Sequence, residues 1–355
     1  MKEKGIRKKF IIYRATLWGI LLSILIGFNG CIREEKFTDD PEGNFNQLWK
    51  LIDEKYCFLE YKGIDWERIG ADYRKYISRE MDDEDLFYVL NNMLYELRDG
   101  HVNLTSESNQ SNFDYWTEYP LNFTQSLLTN RHYLGNDYLE KAGFKYKILD
   151  DNIGYIYYEK FSSTVTNLEL DEILTYFSGC DGLIIDVRQN TGGTATNSAK
   201  IASRFTNEKV LTGYIQHKTG PGHNDFSEPY AIYLEPSPNI RWQKKVAVLT
   251  NRHSYSATND FVNHMRCLPN VLIIGDTTGG GSGMPFSSEL PNGWTVRFSA
   301  SPHFDRDMNH IEWGIDPDIK VDISQWDESN GLDSIIEKAR KLLKQSLLSH
   351  ILLAE

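Results

Sequence analysis

Three short segments carry residues whose types and spacing suit acyl transfer. The first is Leu97-Arg-Asp-Gly-His101-Val-Asn-Leu104, which sets an imidazole at the end of a helical pattern. Histidine titrates near neutrality and is the commonest general base. The second is Thr250-Asn-Arg-His-Ser-Tyr-Ser256-Ala257-Thr-Asn259, between a strand pattern and a helical one. A serine at a helix start lies beside unpaired N–H groups and the positive end of the dipole. The third is Asp186-Val-Arg-Gln-Asn-Thr-Gly192-Gly193, directly after another strand pattern. Paired glycines let the backbone approach a ligand and turn N–H groups outward, where they can hold a developing oxyanion. Each segment has a plain alternative: a solvated or capping histidine, an N-cap serine, or an ordinary strand-to-helix turn.

The elements that must position these residues follow from periodicity. Phe45, Leu48, Trp49, Ile52 and Tyr56 recur at helical spacing; so do Ile69, Tyr73 and Ile77 after Asp65-Trp66, and Leu86, Phe87, Leu90, Met93, Leu94 and Leu97 after a cap at Asp82 or Asp83. This predicts an N-terminal helical module over residues 45–100. From Gly154 the text alternates. Gly154–Phe161, Gly182–Val187, Val246–Thr250 and Val271–Ile274 read as strands, the last three as continuous apolar runs typical of burial on both faces. Leu168–Phe177, Ala195–Phe205 and Ala257–Arg266 read as helices between them. Alternating strands and helices predict a layered α/β core over residues 101–325, followed by a C-terminal helix within 326–355. Tyr214–Trp242, rich in Gly, Pro and His, reads as an inserted surface loop.

Composition sets outer limits. The 355 residues carry 38 Lys+Arg against 50 Asp+Glu, a formal charge of -12, which argues against a general nucleic-acid binder. Residues 1–30 hold six bases and one acid, then an uncharged apolar run ending in Gly30-Cys31. A basic head, a short apolar stretch and small residues before a cut form a secretory signal. Here the first residue after the cut is Cys31, which resembles a bacterial lipoprotein signal and implies acylation of that cysteine. An uncleaved transmembrane anchor and plain secretion are the alternatives; each puts the body outside the cytoplasm. Residues 31–44 read as a polar tether. Cys57, Cys180 and Cys267 remain, so at most one pair can form. No Cys/His spacing predicts a metal site, and no cofactor is expected.

Together the three segments resemble the tail-specific (C-terminal processing) serine peptidases, in particular the tricorn-like branch. The residues that carry the resemblance are DVRQNTGG at 186–193, Ser256-Ala257, Gly275-Asp-Thr-Thr-Gly-Gly280, Gly314-Ile-Asp-Pro317-Asp318 and the helical prelude that ends at His101; they span about residues 45–323. The resemblance implies a ClpP/crotonase-like core, Ser256 as nucleophile, His101 as base, and Glu312 orienting the imidazole. It implies an oxyanion hole built from Gly192 or Gly193 together with Ala257, and protein or peptide substrates. The other branch places its lysine base where this chain has Gly281, and no lysine occurs between Ser256 and Lys320, which excludes a Ser-Lys dyad at that spacing. His253 is a local competitor as base. The chain departs from the family at Gly100, where tricorn has serine, and at Asn259, where many members have glutamate. Leu104 to Gly154 is too short for a PDZ domain and leaves room only for a small strand or hairpin. The rival readings are a binding protein of the same fold that has lost turnover, and a crotonase-like acyl-CoA enzyme. Oligomeric state is not predicted.

Overall fold

A computed structural model describes residues 36–113 and 118–345. The chain divides into two units, Met1–Thr38 and Asp39–Glu355, and the elements described below belong to the second. The signal segment 1–30, Cys31 and the tether as far as Glu35 lie outside the described residues. Among the described residues no helix is long and apolar enough to cross a membrane.

The helical prelude forms α1 (Pro41–Lys55), α2 (Leu59–Lys62), α3 (Trp66–Arg74) and α4 (Asp83–Tyr95). Side-chain caps begin three of them: the Asp40, Asp65 and Asp82 carboxylates accept N–H groups of α1, α3 and α4. The apolar stripes of α1 and α4 meet in one cluster, with Phe45, Leu48, Ile52, Leu86, Leu90 and Met93 all buried. That cluster also contains Val296 and Phe298, so the prelude shares its core with a sheet.

The chain then runs through β1 (Asn103–Thr105), α5 (Gln125–Leu128), β2 (Leu139–Lys141), β3 (Phe144–Ile148), β4 (Ile153–Tyr158), α6 (Asn167–Tyr176), β5 (Gly182–Asp186) and α7 (Ala195–Ala202). It continues through β6 (Val210–Ile215), β7 (Tyr230–Leu234), β8 (Lys245–Thr250), α8 (Ala257–Met265), β9 (Val271–Gly275), β10 (Gly283–Glu289), β11 (Thr295–Asp305), β12 (Ile319–Lys320), α9 (Gln325–Ser329) and α10 (Ser334–Lys344). One sheet has the order β12-β9-β8-β5-β4-β3-β2, parallel from β4 to β12 and antiparallel at the β2–β3–β4 end. The second has the order β1-β11-β6-β7, with β10 also paired to β11.

The apolar runs read as buried strands are the centre of the first sheet. Leu183 and Ile185 face a cluster with Leu170, Ile173, Ile201 and Phe261 from α6, α7 and α8, whereas Ile184 faces Ile335, Ile336 and Ala339 of α10. Both faces are covered, so every side chain of β5 is buried despite the period of two. Between Leu104 and Gly154 the described residues form the β2–β3 hairpin, and also the short helix α5, which the sequence did not predict. One expectation is corrected. Tyr214–Trp242 is not wholly a surface loop, because Tyr230–Leu234 pairs with β6. That strand is mostly exposed and lacks the apolar alternation that would mark it.

Candidate active site

The nucleophile turn lies where β8 gives way to α8. Thr250 ends the strand, and the Asn251 N–H donates to Ser254 Oγ at 3.1 Å, folding the turn back on itself. Ser256 occupies the N-cap position of α8 at φ 59 and ψ -122, with no side-chain cap bond. A non-glycine residue in this region costs about 1–3 kcal/mol and needs support from its surroundings. Support comes from two adjacent N–H groups: that of Ser256 donates to the Gly280 carbonyl at 2.8 Å, and that of Tyr255 to the Asn190 carbonyl at 3.1 Å. The plain N-cap alternative therefore does not describe Ser256. Its hydroxyl is turned away from the helix.

It meets His101. Ser256 Oγ and His101 Nε2 are 2.8 Å apart, although 155 positions separate the residues. His101 is buried, and burial is the main cause holding its pKa down at about 4, against the pull of Asp99. The imidazole is therefore neutral at pH 7 and free to accept a proton. The nearer histidine in sequence, His253, donates its backbone N–H to Asn251, and it is His101 that reaches the hydroxyl.

Asn190, fully buried, ties the glycine turn to the nucleophile helix. Its Oδ1 accepts the Gly192 N–H at 3.0 Å and the Thr258 hydroxyl at 2.7 Å, while its Nδ2 donates to the Tyr158 carbonyl at 2.8 Å. This revises the expected oxyanion donors. The Gly192 N–H is engaged, which leaves Gly193, at φ 141, and Ala257, the first residue of α8, as the candidate pair. Gly192 instead provides clearance: a Cβ there would lie 2.8 Å from Ser256 Cβ and 3.0 Å from Ala257 N.

Glu312 differs from expectation. Its Oε1 pairs with Lys62 Nζ at 2.9 Å and its Oε2 accepts the Ser282 N–H at 2.8 Å. His101 Nδ1 has no hydrogen-bond partner among the described residues, so Glu312 does not hold the imidazole directly. Asp99 is the nearer acid: its Oδ1 accepts the His101 backbone N–H at 2.8 Å, and its Oδ2 accepts the Tyr56 hydroxyl at 2.9 Å and the Ser299 hydroxyl at 2.8 Å. Asp99 stands inside the histidine motif without any local sign of this role, and Lys62 lies in the prelude with no motif around it. Asn259, where many family members carry a charge, is structural: it donates to the Ile311 carbonyl and accepts from Thr278, linking α8 to the segment that carries Glu312.

A cleft of about 870 Å³ is lined in part by Arg98, Tyr119, Arg252, Trp313 and Asp316; Ser256, His101, Gly193 and Ala257 are not among its lining residues. Cys57, Cys180 and Cys267 are free thiols. Among the described residues no cluster of His, Cys, Asp and Glu suits a metal ion.

Known proteins resemble this chain in the same regions. The sequence model of peptidase family S41 matches residues 152–321, and that of the tricorn protease C1 domain matches residues 37–95. A crystal structure of a candidate peptidase from Parabacteroides merdae superposes with a TM-score of 0.82 at 51% identity, covering 87% of this chain and 98% of that one. The carboxy-terminal processing protease CtpA of Bacillus subtilis is 25% identical over 188 residues, 52% of this chain and 38% of that protein. The tricorn protease of Thermoplasma acidophilum is 27% identical over 198 residues, 55% of this chain and 17% of that protein. The chain thus spans well under half the length of these two relatives.

Proposed function

The chain belongs to peptidase family S41, and from that premise we propose that it is an exported, lipid-anchored serine endopeptidase in which Ser256, His101 and Glu312 cooperate. The observation that carries this reading is the 2.8 Å contact between the Ser256 hydroxyl and a buried, neutral imidazole. Ser256 Oγ attacks a peptide carbonyl as His101 Nε2 takes its proton. The N–H groups of Gly193 and Ala257 receive the oxyanion, a contribution of about 100- to 1000-fold per donor in comparable sites. The tetrahedral species collapses as His101 returns the proton to the leaving amine. Water then attacks the acyl-enzyme carbonyl as His101 Nε2 takes its proton, and His101 returns that proton to Ser256 Oγ as the ester C–O bond breaks and the carboxylic acid leaves.

Glu312 serves in this scheme at one remove, through its ties to Lys62 and Ser282, while Asp99 fixes the backbone of His101. Anchoring through Cys31 rests on the sequence of residues 1–31 alone.

Labelling with a fluorophosphonate probe tests the chemistry. The wild-type chain should label, while Ser256→Ala and His101→Ala should not; a wild-type chain that stays unlabelled would favour the binding-protein reading. Incorporation of labelled fatty acid, abolished by Cys31→Ala, tests the anchor separately.

A further inference from the structure

Lys62, the last residue of α2, is buried, with its side chain only 2% exposed. An ammonium in such a place is costly unless it is paired and hydrogen-bonded. Its Nζ lies 2.9 Å from Glu312 Oε1 and 3.7 Å from Asp99 Oδ2. It also donates to the carbonyls of Leu97, at 3.3 Å, and Arg98, at 3.2 Å. The Trp313 ring covers it, with its centroid 4.7 Å away. The three protons of the ammonium are thus accounted for by two backbone carbonyls and one carboxylate.

Those partners are not arbitrary. Leu97 and Arg98 form the turn that leads out of α4 to His101, and Arg98 sits at φ 47 in the left-handed region. Glu312 belongs to the segment before the Gly314 turn and reaches Ser282 just ahead of β10. Lys62 therefore touches neither Ser256 nor His101, yet it holds both the turn that leads to His101 and the segment that carries Glu312.

We propose that Lys62 is a positioning residue of the active site: a buried cation that fastens the His101 turn to the Glu312 segment by pairing with the Glu312 carboxylate. This deepens the peptidase reading and rests on it. The charges around the ammonium support it. Burial raises the Glu312 pKa to about 7, Lys62 opposes that rise, and Asp99 adds to it. Burial works against protonated Lys62, but Glu312 and Asp99 outweigh it and raise its pKa. The Asp99 pKa is lowered: burial would raise it, but Lys62 and His101 outweigh that. The other titratable groups facing the cluster are Tyr56, Cys57 and Tyr61 from the prelude, all with pKa values raised chiefly by burial, and Arg297 from β11. The three from the prelude are neutral near pH 7, so they cannot replace the ammonium.

The test is the pH profile of kcat/KM for a peptide substrate, measured on the full chain as wild type, Lys62→Met, Lys62→Arg and Glu312→Gln. The wild type should gain activity as Glu312 ionises, with an acid limb near pH 7. Lys62→Met should move that limb upward by about one pH unit or more, so that activity at pH 6.5 falls roughly tenfold further than at pH 9. Lys62→Arg should restore the wild-type limb, and Glu312→Gln should remove it. A Lys62→Met chain that labels with fluorophosphonate and keeps the wild-type limb and rate overturns the proposal while leaving the peptidase reading intact. A wild-type chain that neither labels nor cleaves overturns the reading itself. Should Lys62→Met fail to fold, Lys62→Gln carries the same comparison, since it keeps N–H donors for the two carbonyls and removes only the charge.

Discussion

Replacing Gly192 by alanine would probe the geometry of the nucleophile turn most directly. Gly192 sits at φ +98, where an L side chain is strained, at a cost of about 1–3 kcal/mol. The added Cβ would also lie 2.7 Å from the Tyr255 carbonyl oxygen, 2.8 Å from Ser256 Cβ and 3.0 Å from Ala257 N. Two of these atoms are backbone, so the contact cannot be relieved by rotating a side chain; the two turns must separate. Misplacement by about 1 Å in a preorganised site costs roughly 100-fold in rate, so a shift of several tenths predicts a loss of about 10- to 100-fold in kcat/KM. Gly293 supplies the control. It has φ +82, but a Cβ there meets only a Glu289 side-chain oxygen at 4.0 Å. Gly293→Ala should lower stability by a similar strain and leave turnover at the wild-type level. Peptide cleavage normalised to folded protein, with a thermal melt of each variant, makes the comparison. Equal activity in Gly192→Ala and Gly293→Ala would show that the glycine turn does not border the reacting groups.

Three further predictions concern stability. Arg188 is buried between Asp186, with Nη2 to Oδ2 at 2.6 Å, and Asp333, with Nη1 to Oδ2 at 2.9 Å; Arg188→Met should cost about 3–5 kcal/mol in denaturant unfolding by stranding two buried carboxylates. His223 lies between Asp53 at 2.9 Å and Glu60 at 3.1 Å. Burial opposes its protonation, but the two acids outweigh it and raise its pKa, so this contact is fully present below about pH 6.5 and is lost as pH rises through the raised value. Hydrogen exchange in the turn around His223 should accordingly quicken, beyond its intrinsic pH dependence, as pH rises past about 6.5 and through the raised value, and Asp53→Asn should flatten the difference. Thr166 caps α6 in a reciprocal box with Glu169, and Thr166→Ala should lower unfolding free energy by about 1 kcal/mol without altering peptide turnover.

Much of the fold was legible because its cues are local. The apolar runs of β5, β8 and β9 and the capped stripes of α1, α3 and α4 declare themselves within a dozen neighbouring residues. The strands of the second sheet did not, since β7 is exposed along most of its length and β10 carries an exposed, proline-containing face. Their pairing depends on partners far along the chain. In the site, Ser256, His101 and the glycine turn were each visible as a residue type in a suggestive setting, but none distinguished itself from a cap or a turn without the family resemblance.

By itself, the sequence determined which groups are available: a hydroxyl at a helix start, an imidazole after a helix, two glycines after a strand, and no lysine in the 63 positions that follow the serine. Only the tertiary structure decided how they are wired. It turned the Ser256 hydroxyl onto His101, engaged the Gly192 N–H with Asn190, and gave Glu312 to Lys62 rather than to the imidazole. The physical reason is that a hydrogen bond or ion pair acts over a few ångströms of space and is indifferent to distance along the chain. Lys62 and Glu312 are 250 positions apart, and no local pattern around either residue records that burial would bring them together.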